Sequence, residues 1–203
     1  MLDGPLVFVD VDTQRDFLEP DGALFIAGSG AIRPNLARLT RFAREHGIPI
    51  LATACAHAEG DPEFAVFPPH CLLGTPGQAR IDETAWPGGI ILGPGGPIPD
   101  PIPPHLTIPK QKYDVFSNPD ADRVVSVYAQ GDPTFVVYGV ATDYCVRCAV
   151  TGLLDRGRKV AIVADAIRPV DLSAEADLLT EFARRGALLT VTDVVTHPAT
   201  PDR

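Results

Sequence analysis

Two cysteines stand three residues apart in the stretch GVATDYCVRCAVTGLL, where an apolar strand-like run passes into a helix-like segment. Cys145 is the third residue of that helix if Thr142 is its N-cap, and the dipole and free amide groups of a helix N-terminus favour a thiolate there. Such a thiolate is a nucleophile suited to acyl transfer. Two alternatives stay open on position alone: Cys145 and Cys148 form half of a metal site, or Cys145 is a small buried side chain.

Other polar side chains stand where strand-like runs end. They are Asp10 and Asp12, Cys55 and His57, and Lys110. The carboxyl ends of parallel strands share one edge of a sheet, and open α/β sheets bind their ligands there. A lysine near Cys145 would lower the pKa of the thiol, and a carboxylate would accept its proton. Taken singly, Asp12 is equally a turn-capping residue and Lys110 a solvated strand end.

The elements that position these residues alternate along the chain. Strand-like runs cover residues 6–11, 48–54, 106–110, 134–140, 159–166 and 188–192. Apolar stripes at helical spacing end at Gly47, Gly157 and Gly186, and the last two helices follow the candidate N-caps Thr142 and Ser173. Strand–helix alternation implies right-handed crossovers and helices on both faces. We predict a three-layer α/β/α fold with a mostly parallel sheet of about six strands.

The chain has 203 residues, of which 45% are hydrophobic, and this suits one domain over residues 1–203 with its core at about 5–193. The stretch 86–106 is rich in Pro and Gly and predicts a surface loop with a short edge strand at Ile90–Leu92. Four cysteines are too few for a disulfide scaffold, and an all-cysteine zinc site would need a second close pair.

Charge and hydropathy exclude several classes of partner. The net charge of −9 argues against nucleic acid and anionic membranes, because both attract clustered Lys and Arg. No apolar run in the sequence approaches the roughly 18 residues of a membrane span. The acidic start MLDGPLVFVDVD is not typical of a signal peptide. We therefore expect a cytoplasmic protein.

Three stretches resemble, in order, the motifs of the isochorismatase-like cysteine hydrolases and of nicotinamidases in particular: FVDVDTQRDFL, PKQKYDVF and YGVATDYCVRCAVTGLLDRG. The resemblance extends from about residue 5 to residue 193. It matches Asp12, Lys110 and Cys145 to the catalytic aspartate, lysine and cysteine, and it leaves Asp10 as a structural residue. It also implies a cis peptide at Val140–Ala141, with the Ala141 and Cys145 amides forming an oxyanion hole.

The family chemistry implied for this triad is hydrolysis of an amide through a thioester. Cys145 would attack the carbonyl carbon, Asp12 would carry the thiol proton to the leaving nitrogen, and Lys110 would hold both in place. Cys148 would pack one turn further along the helix. Phe17, Phe67 and Tyr144 would form an apolar, partly aromatic wall suited to a small planar substrate.

Nicotinamidases also carry an Asp-x-His pair and a later histidine in a W-P-x-H-C motif, which bind a metal that holds the pyridine nitrogen. His57 and His70 match these histidines, whereas Cys55 stands in place of the aspartate and Phe67 in place of the tryptophan. Two imidazoles and a thiolate suit Zn²⁺ better than manganese or iron, with water, substrate or Asp61 as the fourth ligand. The alternative is a metal site that has been lost, leaving the histidines as hydrogen-bonding groups.

The resemblance predicts a small-molecule amide substrate, nicotinamide first, and no organic cofactor. A carbamoyl or ureido compound, hydrolysed without metal, is the alternative substrate. Isochorismatases that cleave a vinyl ether manage without the nucleophilic cysteine and fit less well. A different class is a non-catalytic redox sensor using Cys145 and Cys148 as a dithiol, which leaves Asp12 and Lys110 without a role. Family members commonly assemble into dimers or tetramers, so we expect a homo-oligomer.

Overall fold

A seven-stranded parallel sheet forms the centre of the computed structural model, which describes residue 2 and residues 4–197. The strand order across the sheet is β3–β4–β2–β1–β5–β6–β7. The strands are β1 (Leu6–Val11), β2 (Ile50–Cys55), β3 (Ile90–Ile91), β4 (His105–Lys110), β5 (Thr134–Val140), β6 (Lys159–Arg168) and β7 (Leu188–Thr190). The central strands are near-continuous apolar runs because both faces of the sheet are covered.

Helices cover both faces and produce the predicted three layers. They are α1 (Arg15–Leu18), α2 (Arg33–His46), α3 (Ala121–Tyr128), α4 (Arg147–Asp155), α5 (Glu175–Arg184) and α6 (Thr192–Thr196). Alternate residues of β1 face opposite sides: Phe8 packs with α1, α2 and α6, whereas Val7 and Val9 pack with α3, α4 and α5. Among the described residues, no helix has both the length and the apolar character needed to cross a membrane.

The fold class is confirmed, and several details differ from the sequence prediction. The sheet has seven strands rather than about six, because the short edge strand at Ile90–Ile91 pairs in parallel with β4. Helix α3 was not predicted. Thr142 and Ser173 are not N-caps: a π-helical turn already begins at Thr142, and Ala174 precedes α5 without a capping side chain. The domain limits 1–203 extend beyond the described residues and stay a prediction.

The direction of the crossovers reverses at the centre of the sheet. From β1 the chain moves outward through β2, and it later returns to place β5 on the other side of β1. The crevice beyond the carboxyl ends of such a strand pair is where open α/β sheets bind ligands. Gly139 (φ 115°) lets the two strands approach here, since a Cβ at that position would overlap the carbonyl oxygen of Val11.

Candidate active site

Three side chains converge at the carboxyl ends of the central strands. Asp12 directly follows β1, with its backbone in the left-handed region (φ 49°) that aspartate tolerates, and Lys110 ends β4. Cys145 lies in the π-helical turn between β5 and α4. The structure thus brings together the aspartate, lysine and cysteine that the motifs singled out. The Val140–Ala141 peptide that precedes this turn is cis.

Lys110 is the centre of this cluster. Its Nζ lies 2.7 Å from Asp12 Oδ2 and 3.3 Å from Cys145 Sγ. The other carboxylate oxygen, Asp12 Oδ1, accepts a hydrogen bond of 2.6 Å from the hydroxyl of Thr53. All three members of the cluster are buried. An ammonium, a carboxylate and a thiol are therefore in mutual contact in a site that excludes most water.

The pKa values show how protons are distributed in the resting site. Burial alone would raise the pKa of Asp12, but the Lys110 ammonium holds it below its usual value. Burial would lower the pKa of Lys110, and the Asp12 carboxylate raises it well above the usual value instead. The pKa of Cys145 is well above the usual value because of its hydrogen bond with Cys55 and its burial, despite the ammonium. Contrary to the sequence expectation, the resting cysteine is therefore a thiol beside an ionised Asp12–Lys110 pair.

Cys55 belongs to this cluster and not with the two histidines. Its Sγ lies 3.2 Å from Lys110 Nζ and 3.6 Å from Asp12 Oδ2. The reason is the strand register, in which Cys55 pairs with Lys110 across β2 and β4, so that both side chains point to the same face. The predicted ligand set Cys55–His57–His70 is thus not assembled in this structure.

A second cluster joins His57 and His70 to Glu63, with one ligand atom of each within 4.8 Å of the others. The Nδ1 atoms of both rings have partners: His57 Nδ1 lies 3.0 Å from Asp61, and His70 Nδ1 lies 2.8 Å from the Pro68 carbonyl. A carbonyl only accepts, so Nδ1 of His70 carries the proton, and a carboxylate imposes the same tautomer on His57. Both Nε2 atoms are then left as acceptors.

One observation indicates that this cluster is built for a ligand. Within the described part of the chain, His57 Nε2 has no hydrogen-bond partner although it is buried. His70 Nε2 lies 3.5 Å from Glu63 Oε1, and burial lowers the pKa of His70, which keeps the imidazole neutral. Asp61 orients His57 instead of joining the cluster. The residues therefore fit a divalent metal on two imidazoles and a carboxylate.

A small cavity of about 40 Å³ opens onto both clusters. The three residues predicted to form its wall, Phe17, Phe67 and Tyr144, all line it. Tyr113 adds a ring that the sequence analysis missed: its centroid lies 6.4 Å from that of Phe67 and 5.2 Å from that of Tyr144. Ala141 and Cys145 are also in the lining. The lining is mostly apolar, and it also includes the two thiols, the imidazole of His70 and the carboxylate of Glu63.

Two residues of the first motif, Gln14 and Asp16, fix the backbone of the segments that carry the site residues. Gln14 is fully buried and clamps the backbone of Cys55, since its Oε1 accepts from Cys55 N at 2.7 Å and its Nε2 donates to Cys55 O at 2.9 Å. Asp16 accepts from the amide of Cys71 at 2.6 Å, which fixes the segment after His70. Asp10 forms a buried ion pair with Arg80 at 2.7 Å, a contact consistent with the structural role that the resemblance leaves to it.

Sequence reasoning missed Glu63 and Thr53. Glu63 stands six residues after His57 in a turn begun by Asp61 and Pro62, a spacing that no helix or strand period predicts. Thr53 lies in the middle of an apolar strand and resembles any other β-branched residue there. A search for carboxylates between the two histidines would have found Glu63.

Comparison with known proteins agrees with this geometry. The family model for the Isochorismatase domain matches residues 6–92 and 97–194. The nicotinamidase of Escherichia coli (strain K12) is 25% identical over 206 residues, covering 91% of this chain and 94% of that protein. A pyrazinamidase/nicotinamidase structure from Streptococcus mutans UA159 superposes with a TM-score of 0.78 at 25% identity, covering 91% of this chain and 99% of that one. The pyrazinamidase of Pyrococcus horikoshii, solved in complex with zinc, gives 0.75 at 26% identity, with coverage of 93% and 99%.

Proposed function

The chain belongs to the isochorismatase family, and on that premise we propose that it is a cysteine-dependent amidohydrolase for a small amide. The observation that carries this proposal is the contact of one ammonium, that of Lys110, with both the carboxylate of Asp12 and the sulfur of Cys145. Relatives named as nicotinamidases and pyrazinamidases support the reaction class. The enzyme is accordingly a hydrolase of non-peptide C–N bonds.

The reaction follows from the proton distribution of the resting site. Asp12 takes the proton of the Cys145 thiol, and the thiolate attacks the carbonyl carbon of the amide. The tetrahedral intermediate collapses to a thioester while Asp12 gives that proton to the leaving nitrogen, and ammonia departs. Water, deprotonated by the same carboxylate, then cleaves the thioester and regenerates the thiol.

Negative charge develops on the substrate carbonyl oxygen twice, when the thiolate attacks the amide and when water attacks the thioester. We assign the backbone amides of Ala141 and Cys145 to that oxygen, because both residues line the cavity beside the nucleophile. Lys110 stays an ammonium throughout and offsets the negative charge as it moves between Asp12 and Cys145. Its pKa well above the ordinary value supports this role.

The ligands for a divalent metal in this proposal are His57, Glu63 and His70 rather than Cys55. Zinc is the metal we propose, since a two-histidine, one-carboxylate set suits it and the P. horikoshii relative was solved with zinc. Because Cys55 lies in the other cluster, the proposed set holds no thiolate ligand. A metal held there would bind a polar end of the substrate, such as a ring nitrogen.

Nicotinamide remains the first choice of substrate. The cavity is small and walled by the rings of Phe17, Phe67 and Tyr144, which suits a planar heteroaromatic amide. Among the described residues that line it, none is Arg or Lys, so in the metal-free reaction a substrate with its own carboxylate would lack a counter-ion in the lining. This disfavours anionic carbamoyl compounds and leaves neutral carbamoyl or ureido compounds as the second candidates. A cytoplasmic location and a dimer or tetramer stay predictions.

The test is ammonia release from a panel holding nicotinamide, pyrazinamide, and neutral and anionic carbamoyl and ureido compounds. The protein is assayed as purified and after chelation, beside Cys145→Ala and the matched control Cys148→Ala. Turnover of nicotinamide that is lost with Cys145→Ala and with the chelator, but kept in the control, supports the proposal. Equal turnover by Cys145→Ala and the parent enzyme would contradict it. Turnover of a neutral ureido compound that is insensitive to chelation would support the second candidate.

A further inference from the structure

Cys55 and Cys145 share one ammonium group. Lys110 Nζ lies 3.2 Å from Cys55 Sγ and 3.3 Å from Cys145 Sγ, and the two sulfur atoms lie within 4.8 Å of each other. Asp12 Oδ2 is 3.6 Å from Cys55 Sγ. Amide hydrolysis as proposed uses only one of these thiols. Cys55 is therefore a buried nucleophilic group that the mechanism leaves without a role.

The groups that thiol–disulfide chemistry requires lie beside both sulfur atoms. The Lys110 ammonium contacts each sulfur, and the Asp12 carboxylate, which pairs with that ammonium, is positioned to accept a thiol proton. Both cysteines also line the cavity, so a small oxidant that enters meets the two sulfur atoms together. The described lining residues do not include Cys148, the other member of the C-x-x-C pair.

We propose that the Cys55–Cys145 pair is an oxidative modification site at which hydrogen peroxide converts two thiols into a disulfide. Cys145 first gives its proton to Asp12, and its thiolate attacks one peroxide oxygen. The O–O bond breaks, a sulfenic acid forms, and the departing hydroxide takes the proton from Asp12 to leave as water.

Cys55 completes the reaction. It gives its proton to Asp12, its thiolate attacks the Cys145 sulfur, the S–O bond breaks, and hydroxide again leaves as water with that proton. Two thiols lose two electrons in total, and one peroxide gains them. The disulfide removes the nucleophile until an external thiol reduces it, and it keeps Cys145 from advancing to the irreversible sulfinic acid.

This inference goes beyond amide hydrolysis and does not depend on it, because the bond forms between two thiols whatever the substrate. The test treats the reduced protein, as purified, with equimolar hydrogen peroxide, blocks remaining thiols with N-ethylmaleimide, and maps all four cysteines by peptide mass spectrometry. We expect a Cys55–Cys145 cross-linked peptide and the loss of two blockable thiols per chain. Dithiothreitol should restore both thiols and, with them, the hydrolytic activity.

Two variants sharpen the result. In Cys55→Ser we expect Cys145 to be trapped by dimedone as a sulfenic acid, then to reach the sulfinic acid at higher peroxide, with no recovery in dithiothreitol. Cys148→Ser should form the disulfide as the parent does. A Cys145–Cys148 peptide, a sulfinic Cys145 beside a free Cys55, or a Cys145 that resists peroxide would each overturn the inference. A mapped Cys55–Cys145 disulfide in a protein that hydrolyses no amide would leave the inference standing and contradict the proposed function.

Discussion

Lys110 donates to Asp12 over 2.7 Å at a point where the two side chains are 1% and 0% exposed. A buried ion pair of this kind gains its attraction in a low-dielectric site but loses the hydration of both charges. Each charge is therefore stabilised mainly by its partner, and removing one side chain leaves the other as an uncompensated buried charge. The Lys110 ammonium keeps the Asp12 base ionised, whereas the hydrogen bond with Cys55 and burial keep the Cys145 nucleophile protonated.

Replacing Lys110 should cost both stability and activity. We expect Lys110→Met to lower the free energy of unfolding by about 3 to 5 kcal/mol, because Asp12 is left buried without its counter-charge. The double variant Asp12→Asn/Lys110→Met should be less destabilised than the sum of the two single variants. Activity should fall about 10³-fold or more in all three. Urea unfolding and ammonia release measure the two effects, and strict additivity of the stability changes would argue against the buried pair.

Removing the charge of Asp12 should make the Cys145 thiol more reactive towards an alkylating reagent while it lowers the rate of amide hydrolysis. The Asp12 charge contributes to the raised pKa of the thiol, whereas Lys110 lowers it, so Asp12→Asn should shift the balance towards thiolate. Each unit by which the pKa falls raises the thiolate fraction about tenfold. We expect iodoacetamide at pH 7.5 to label Cys145 faster in Asp12→Asn than in the parent, although amide hydrolysis is nearly lost.

Peptide mass spectrometry of the labelled protein supplies internal controls. Half-buried Cys148 should be labelled at the same rate in both proteins, and fully buried Cys71 should stay unlabelled if the fold is intact. Slower labelling of Cys145 in the variant would mean that the carboxylate already withdraws the thiol proton in the resting enzyme.

Metal content should distinguish the two ligand sets. After dialysis against zinc and then against buffer, we expect His70→Asn and Glu63→Gln to lose the bound metal, because each removes or weakens a donor. Asp61→Asn should weaken zinc binding about 10- to 100-fold, as expected for a residue that orients a ligating histidine. Cys55→Ser should keep its zinc. Elemental analysis reads the result, and loss of zinc from Cys55→Ser together with its retention by Glu63→Gln would restore the ligand set that the sequence suggested.

Acid should destabilise the protein through His105. Burial, with the charge of Arg80, lowers the pKa of this histidine to about 3 from its usual 6.5, so the folded state holds it neutral. The unfolded chain binds the proton below pH 6.5 and the folded chain does not. The stabilising contribution is therefore complete above pH 6.5 and is lost as pH falls towards 3, by at most about 1.4 kcal/mol per unit.

His105→Phe removes this titration and keeps a ring against Trp86, which stacks on His105 with centroids 5.7 Å apart. We expect the stability of the variant, measured by urea unfolding at pH 7.5, 6.0 and 5.0, to fall less steeply with acid than that of the parent. Parallel slopes would show that His105 is not the titrating group.

The locations of the candidate catalytic side chains were predictable from the sequence because these residues lie at the ends of strands. Asp12 and Cys145 follow strands and Lys110 ends one, and a parallel sheet carries such ends to one edge. The direction of a side chain beyond that edge was not predictable. The family resemblance made Cys55 a ligand partner of His57, because Cys55 stands in place of the aspartate of the Asp-x-His pair, but its pairing with Lys110 across β2 and β4 turns it to the other cluster.

Irregular segments account for the remaining differences. Glu63 reaches the histidines through a short 3-10 turn, Pro62–Ala65, whose path follows from tertiary contacts rather than from a local period. The π-helical turn Thr142–Val146 begins where an N-cap was expected, because the Ala141 carbonyl already accepts from the amides of Tyr144 and Val146. Turns of this kind set the site geometry without leaving a pattern in the sequence.

The most direct test of the central claim is an acid-quenched single turnover of nicotinamide, followed by intact-protein and peptide mass spectrometry. We predict a nicotinoyl adduct on Cys145 that decays as nicotinate appears, and no adduct in Cys145→Ala. An adduct on another residue, or single-turnover release of ammonia by Cys145→Ala, would contradict it.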